Sequence, residues 1–264
     1  MTHWVNGLRY KIIGNVALIR VDEESHNLEE TIKRIVTNNP RIMAILRYGG
    51  VHGEYRTPSV ELLWGKLPDI IKHSEYGVDY HLDPTKLMFS LGNLFERLRI
   101  ASLVKSWEIV VDMFAGIGQF TLPIAVHAKP VKIHAIEINP LAYDYLVKNI
   151  KLNNVEEIVV PHLSDCREQS QKIERIADRI IMGYLHDTIE FLPYALRIIG
   201  DAGGIVHLHQ LIDRNDGGQL IQKIININSK LGYSTNILSS RIVKSYSSSK
   251  LHIVVDFFTI NRNR

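Results

Sequence analysis

Cysteine is nearly absent from this sequence: its 264 residues include one, Cys166. A single thiol excludes an internal disulfide and a cysteine-rich zinc site, and we predict no bound metal. No apolar run approaches the roughly 20 residues that cross a bilayer. The first residues lack the charged-then-apolar pattern of a secretory signal. These absences predict a cytoplasmic protein without a membrane partner.

A strong charge of one sign is also missing. The chain carries 31 basic and 28 acidic residues, a formal net charge of +3. This mild excess permits a nucleic-acid partner without requiring one. Hydrophobic residues at 45% and charged residues at 22% are typical of a globular chain. Composition therefore leaves the function to be found in the motifs.

The most informative segment is Val111–Phe120, in which an apolar run leads into Gly116 and Gly118. The apolar run predicts a buried strand, and the two glycines allow a tight turn close to a ligand. A helix predicted over 119–127 would direct its first amide groups to the same place. Glu137 follows Gly118 by 19 residues, at the end of the next apolar run. A carboxylate there can accept hydrogen bonds from the ribose hydroxyls of a nucleoside.

Thr121 occupies the place of the third glycine in the dinucleotide fingerprint. Its presence favours a nucleoside ligand that has no pyrophosphate, and S-adenosylmethionine (AdoMet) fits that description. The alternatives are structural: an ordinary strand-to-helix turn, and a solvated acid at Glu137. The joint occurrence of the turn and the acid favours the nucleoside site.

From residue 108 onward, strands and helices alternate, which predicts a parallel sheet. The predicted strands cover 108–114, 131–136, 157–163, 178–183 and 204–211, and the predicted helices 119–127, 140–152, 189–199 and 218–231. Two β-rich runs, 239–246 and 251–260, predict a closing antiparallel hairpin. The predicted fold class is α/β, a class I AdoMet-dependent methyltransferase-like (Rossmann-type) domain, assigned to 86–264.

The first 85 residues follow a different pattern and predict a small α+β domain that precedes the α/β domain. We predict strands over 9–21 with a break at Gly14, a helix over 27–37, short strands at 41–47, 54–56 and 60–64, and an extended run over 73–82. Residues 85–106 are predicted to form a helical connection between the two domains.

Several segments together resemble a family of enzymes that act on guanosine 37 of archaeal and eukaryotic tRNA. The segments are Val51–Arg56, Met88–Arg97, Asp112–Phe120, Arg241–Tyr246 and Leu251–Asp256. One branch of this family methylates N1 of guanosine 37. The other transfers the 3-amino-3-carboxypropyl group of AdoMet to C7 of 4-demethylwyosine, during wybutosine synthesis. The resemblance implies AdoMet as co-substrate and the tRNA anticodon loop as partner.

Two segments and the start of the chain favour the aminocarboxypropyl branch. The methyltransferases carry an Asn-Leu-Pro or Asn-Pro-Pro motif after the fourth strand, where this chain has Met182–His186. The segment Phe89–Asn93 is similar to the aminocarboxypropyl branch. The chain also begins where the second domain of the methyltransferases begins. N1-methylation is the nearer alternative, and a non-catalytic RNA-binding module that keeps an AdoMet pocket is the more distant one.

The resemblance also implies roles for individual residues. Ser90 and Arg97 are similar to the pair that binds the methionine portion of AdoMet. Asp165 and Cys166 occupy the place where related enzymes hold adenine; Asp165 could instead cap a helix, and Cys166 departs from the usual asparagine. Asp112 is expected to face the AdoMet amino group or to hydrogen-bond the glycine turn.

Catalytic residues are not identified, because orientation of the two substrates requires no covalent intermediate. Tyr184 and His186 are candidates, at the place where the target base is expected to stack. The small domain, residues 1–85, is expected to contact the tRNA. Basic residues that could contact tRNA phosphates are Arg41, Arg47, Arg56, Arg241 and Lys244. Each of these can equally be an ordinary surface residue.

Overall fold

The computed structural model describes residues 2–5, 7–21, 27–214 and 216–262. The chain divides into two compact units, Met1–Leu91 and Gly92–Arg264. The boundary predicted from the sequence, after residue 85, lies within the first of these units. Within the described ranges, no helix combines the length and the apolar character that a membrane span requires.

The first unit is built on a five-stranded sheet in which the strands follow chain order. Its strands are β1 (Thr2–Val5), β2 (Leu8–Ile13), β3 (Val16–Ile19), β4 (Ala44–His52) and β5 (Thr57–Gly65). Only β3 and β4 pair in parallel, and helix α1 (Leu28–Asn38) connects them. A separate hairpin consists of β6 (Ile71–Glu75) and β7 (Val78–Leu82). This mixture of helix and strands confirms the predicted α+β class.

One face of the five-stranded sheet forms the core of the first unit with α1. Tyr10, Ile19 and Ile45 are buried on that face and pack with Ile35 of the helix. Alternate residues of each strand therefore point away from α1, because side chains in a strand alternate between the two faces.

Two sequence predictions for this unit are wrong. Residues 54–56 are not a strand but part of the turn that joins β4 to β5, where Gly53 and Arg56 have φ of 69° and 53°. The run 73–82 is not continuous, since Tyr76 and Gly77, with φ of 48° and 77°, reverse the chain between β6 and β7. Each turn contains one glycine, but the other left-handed residue, Arg56 or Tyr76, is of a type that does not signal a turn. Strand β1 was not predicted.

The second unit contains a seven-stranded sheet with the order β10-β9-β8-β11-β12-β14-β13. The strands are β8 (Ile109–Asp112), β9 (Lys132–Glu137), β10 (Val159–Leu163), β11 (Arg179–Leu185), β12 (Gly204–Asp213), β13 (Tyr233–Ser245) and β14 (Lys250–Asn261). The strands from β8 to β12 pair in parallel, whereas β14 runs antiparallel between β12 and β13. The predicted parallel sheet with a closing antiparallel hairpin is confirmed.

One helix of the second unit precedes its first strand, and the others lie between strands along the chain. They are α2 (Leu94–Leu103), α3 (Thr121–Pro123), α4 (Pro140–Leu152), α5 (Cys166–Gln169), α6 (Leu192–Ile198) and α7 (Gly217–Lys230). The helix predicted over 85–106 is correct only in its second half, where α2 follows a short 3₁₀ turn. A π-helix, Ile124–Ala128, extends α3 directly. Helix α5 was not predicted, because four residues are too few for a periodic pattern.

The strand order places the candidate site. Strands β8, β9, β10 and β11 are adjacent and parallel, and they end at Asp112, Glu137, Leu163 and Leu185. Their carboxyl ends share one edge of the sheet, which is where ligands bind in open α/β folds.

Candidate active site

The glycine turn connects β8 to α3 at this edge. Gly116 and Gly118 have φ of 57° and 98°, in the left-handed region that glycine enters without a steric cost. A Cβ on Gly118 would lie 2.7 Å from Cγ of Leu122, closer than real side chains approach. Gly118 is therefore required by both conformation and packing, whereas Gly116 is required by conformation alone.

Glu137 ends β9 beside this turn. Its Oε2 accepts a hydrogen bond from the Gly116 amide at 2.7 Å, and its Oε1 accepts one from the Asn139 amide at 2.8 Å. Burial raises the pKa of this carboxyl, and the backbone hydrogen bonds partly offset that effect. A carboxylate oxygen has two lone pairs, so each oxygen can accept one more hydrogen bond. The structure thus brings Glu137 and Gly116 together, and the contact of Glu137 with the ribose stays a prediction.

Asp112 lies beneath the turn at the end of β8 and is fully buried. Its Oδ2 accepts from the Thr121 hydroxyl at 2.8 Å, and its Oδ1 from the Phe114 amide at 3.3 Å. Burial raises the pKa of Asp112 to about 6. These hydrogen bonds, to residues on either side of the two glycines, correspond to the expectation that Asp112 stabilises the glycine turn. Contact with the AdoMet amino group stays a prediction.

Asp165 and Cys166 stand where β10 leads into α5. The Asp165 side chain caps the helix by accepting from the Arg167 amide at 2.7 Å, and it also binds the Arg167 guanidinium. These hydrogen bonds hold the pKa of Asp165 below its ordinary value. Burial raises the pKa of Cys166 to about 12, which keeps the thiol protonated and unreactive. The helix-cap alternative is present here, and the contacts with adenine stay predictions.

Ser90 and Arg97 fall on opposite sides of the unit boundary. Ser90 belongs to the first unit and is half-buried, whereas Arg97 lies on α2 in the second unit. Arg97 is 1% exposed. A guanidinium cannot lose its proton in a protein, so its burial is costly unless polar groups or an anion surround it. The positions of Ser90 and Arg97 do not test the prediction that these two residues bind the methionine portion of AdoMet.

Tyr184 lies at the end of β11, where the pairing with β12 becomes irregular between Met182 and Leu185. Its ring stacks on Phe114 at a centroid distance of 5.3 Å and meets Phe191 edge-on at 5.9 Å. The motif-based reasoning overlooked both phenylalanines. Phe114 directly precedes the glycine turn, so its position was a usable signal.

His186 is exposed, beyond the end of β11. Its ring is roughly perpendicular to the rings of Tyr184, at 6.3 Å between centroids, and Tyr246, at 6.2 Å. Tyr246 directly follows β13 and was not among the predicted site residues. The two candidates, Tyr184 and His186, are thus neighbours in an aromatic group at the carboxyl edge of the sheet.

The backbone around these aromatic residues is strained. Leu185 has φ of 84° and Asp187 has φ of 47°. Left-handed conformations are costly for residues other than glycine, by about 1–2 kcal/mol each, and are most unusual for a branched residue such as leucine. Backbone strain of this kind concentrates at functional sites.

A buried ionic network, which the motifs did not indicate, fixes α2 on the sheet. Arg99 binds Glu96 on the same helix at 2.7 Å and Asp256 of β14 at 2.6 Å. Asp256 also accepts from Nδ1 of His207 at 2.6 Å, while Nε2 of His207 accepts from Arg179 at 2.8 Å. Because an arginine can only donate, His207 is the neutral Nδ1-protonated tautomer. The helix that carries Arg97 is therefore held rigidly.

Arg47, Arg241 and Lys244, which were considered for tRNA contact, are each engaged by a neighbouring side chain. Arg47 pairs with Glu61 at 2.8 Å, Arg241 binds Glu96, and Lys244 donates to Oδ1 of Asn93 at 2.7 Å. Among the described residues, no group of three or more His, Cys, Asp or Glu side chains is arranged to hold a metal ion.

Comparison with known proteins identifies relatives along nearly the whole chain. A family profile described as the TRM5/TYW2 methyltransferase domain matches residues 71–238, and a TYW2 N-terminal domain profile matches residues 7–68. The tRNA(Phe) (4-demethylwyosine(37)-C(7)) aminocarboxypropyltransferase of Methanocaldococcus jannaschii is 39% identical over 95% of this chain and 97% of that protein.

A second curated relative belongs to the sister branch. The tRNA (guanine(37)-N(1))-methyltransferase Trm5b of Pyrococcus abyssi is 36% identical over 94% of this chain and 74% of its own length. Among solved structures, P. horikoshii TYW2 in complex with MeSAdo superposes with a TM-score of 0.84 at 36% identity, covering 96% of this chain and 90% of that one.

Proposed function

This chain belongs to the TRM5/TYW2 family, and we propose that it is an aminocarboxypropyltransferase that acts on tRNA. It transfers the 3-amino-3-carboxypropyl group of AdoMet to C7 of 4-demethylwyosine at position 37 of tRNA(Phe). The observation that carries the proposal is the match with the M. jannaschii aminocarboxypropyltransferase over 95% of this chain and 97% of that protein. In this role the enzyme acts in the cytoplasm, together with its tRNA substrate.

In this proposal, the edge of the sheet binds the nucleoside part of AdoMet. Glu137 accepts the ribose hydroxyls through the lone pairs that its backbone hydrogen bonds leave available. The turn at Gly116 and Gly118 lets the backbone approach the ligand closely. Asp165 and the amide of Cys166 bind the adenine, for which Asp165 must share its carboxylate with Arg167.

Ser90 and Arg97 hold the methionine portion, and Arg97 grips its carboxylate as a planar cation. This grip decides which carbon of the sulfonium faces the acceptor. In the transfer, C7 of the base bonds to the methionine γ-carbon, and the bond between that carbon and sulfur breaks. The bonding electrons neutralise the sulfonium, methylthioadenosine leaves, and the base loses the proton from C7. Orientation accounts for most of the rate enhancement.

The aromatic group at the end of β11 receives the target base. The base leaves the anticodon-loop stack, as in other enzymes that modify bases. Tyr184, already supported by Phe114 at 5.3 Å, offers a ring on which the base can stack, and His186 lies next to it.

N1-methylation of guanosine 37 is the alternative, because Trm5b of P. abyssi is 36% identical over 94% of this chain. The identity of the released co-product separates the two reactions. Chromatography after incubation with AdoMet and tRNA carrying 4-demethylwyosine should detect methylthioadenosine. S-adenosylhomocysteine, formed on tRNA with unmodified guanosine 37, would instead assign the chain to the methyltransferase branch.

A further inference from the structure

The five-stranded sheet of the first unit carries aromatic and basic side chains in one row across its strands. Trp4 of β1 pairs directly with Arg9 of β2. Tyr10 pairs with Ile19 in the antiparallel ladder, so the next residues in register are Arg9 and Arg20. Ile19 pairs with Arg47 in the parallel ladder, so the next residues in register are Arg20 and Tyr48. The row therefore reads Trp4, Arg9, Arg20 and Tyr48, and spans roughly 14 Å at the usual strand spacing.

Ring contacts support this order. The Arg9 guanidinium lies 5.9 Å from the centre of the Trp4 ring, and the Arg20 guanidinium lies 5.2 Å from the centre of the Tyr48 ring. Each cation is thus held over an aromatic ring, a favourable arrangement that also fixes its direction.

The row lies on the face of the sheet that points away from α1. Tyr10 and Ile19, the chain neighbours of Arg9 and Arg20, are buried against the helix. Because side chains alternate between faces, Arg9 and Arg20 point to the opposite side. Trp4 is 67% exposed there, and both arginines are exposed.

Among the described residues, three basic side chains share this face. Lys11, two residues after Arg9, lies on the same face. Its pKa is lowered mainly by burial and to a smaller extent by repulsion from Arg9 and Arg20. No carboxylate in the described ranges forms an ion pair with Arg9, Lys11 or Arg20. An anion bound between the cations would relieve their mutual repulsion.

An exposed tryptophan beside cations that form no ion pair within the described residues fits a nucleic acid better than it fits a small anion. Phosphate groups bind to the cations, and unstacked bases lie on aromatic rings. We propose that the row Trp4–Arg9–Arg20–Tyr48 binds an unpaired segment of the tRNA substrate, with the arginines on phosphates and Trp4 under a base. The identity of the RNA rests on the proposed function, whereas the binding mode rests on this row.

Equilibrium binding of an in vitro transcript of tRNA(Phe) at several salt concentrations tests the row. The double variant Arg9→Ala/Arg20→Ala should weaken binding and reduce the slope of log Kobs against log salt by about 1.4, since each lost phosphate contact accounts for about 0.7. Trp4→Ala should weaken binding roughly five- to a hundredfold without changing the slope, because stacking releases no counterions.

Two matched variants complete the design. Lys33→Ala/Arg34→Ala removes the same number of cations from α1, on the other side of the sheet, and should leave affinity nearly unchanged. Arg9→Lys/Arg20→Lys keeps the charge and should keep the salt slope. AdoMet binding, measured by calorimetry, should be equal in all variants.

An unchanged slope and affinity in Arg9→Ala/Arg20→Ala, with the wild type still binding tRNA, would overturn the role of the row. An equal loss of tRNA affinity in Lys33→Ala/Arg34→Ala would also overturn it, because net charge alone would then explain the effect. Failure of the proposed function gives a different result: the wild type would bind tRNA with the predicted slope but would release no methylthioadenosine.

Discussion

The Gly116 amide donates a 2.7 Å hydrogen bond to Oε2 of Glu137. The first glycine of the turn is thereby tied to the acid at the end of the neighbouring strand. One carboxylate both fixes the shape of the turn and presents its remaining lone pairs to a ligand. Loss of this carboxylate should affect ligand binding and, more weakly, the order of the turn.

Replacement of Glu137 by Gln should weaken AdoMet binding by about 1.5–3 kcal/mol, because charge-assisted hydrogen bonds to the ribose are lost. Titration calorimetry measures this change. Glu156→Gln, an exposed acid on the same unit, is the matched control and should bind normally. Equal affinities in wild type and Glu137→Gln would refute the ribose assignment.

The two glycines of the turn should differ in their tolerance of a methyl group. Gly116→Ala meets only the conformational cost of a left-handed residue, about 1–2 kcal/mol. Gly118→Ala has φ of 98° and also meets Leu122 at 2.7 Å, so it should lose more stability. Urea unfolding of both variants measures which of them loses more free energy of unfolding. A smaller loss for Gly118→Ala would contradict the described packing of the turn.

Asp112 should make stability depend on pH. Its pKa is raised from 3.8 to about 6, so between these values the unfolded chain ionises first and stability falls as pH rises. Asp112→Asn removes this loss, and the stability of the variant relative to wild type should rise by about 2.4 kcal/mol from pH 4 to pH 7. Urea unfolding at both pH values gives the difference. A difference that does not change with pH would show that the buried carboxyl titrates normally.

Tyr184 should contribute to binding of the base and not to binding of AdoMet. Tyr184→Ala should lower kcat/KM for tRNA by the equivalent of about 1–3 kcal/mol, while Tyr184→Phe, which keeps the ring on Phe114, should stay near wild type. Steady-state kinetics with both variants tests this. If the phenylalanine variant is as impaired as the alanine variant, the hydroxyl and not the ring is required.

Arg97 should distinguish AdoMet from its product. Arg97→Met, which keeps much of the buried volume, should weaken AdoMet binding at least tenfold and leave methylthioadenosine binding intact, because only AdoMet carries a carboxylate. Calorimetry with both ligands measures the ratio. An equal loss for the two ligands would make Arg97 a structural residue of α2.

The sequence predicts the second unit well because its signals are local. Apolar runs, the glycines at 116 and 118, and Pro140 after Asn139 all mark element ends, and the Asn139 side chain does cap α4 by accepting from Leu141. The first unit is predicted less well, since Arg56 and Tyr76, which adopt left-handed conformations in its turns, are not residue types that signal a turn.

The contacts of the candidate site depend on pairings that no local pattern contains. Arg99 meets Asp256 across 157 positions of the chain, and the stacking of Phe114 on Tyr184 depends on β8 and β11 being neighbours. The same holds for the Trp4–Arg9–Arg20–Tyr48 row, which requires the order of four strands.

The most direct test of the central claim follows the transferred carbon. tRNA carrying 4-demethylwyosine is incubated with AdoMet labelled in the carboxyl carbon and, separately, with AdoMet labelled in the methyl carbon. We predict that the carboxyl label enters the tRNA and that the methyl label leaves with methylthioadenosine. Methyl label in the tRNA, with the carboxyl label remaining in solution, would contradict the assignment as an aminocarboxypropyltransferase.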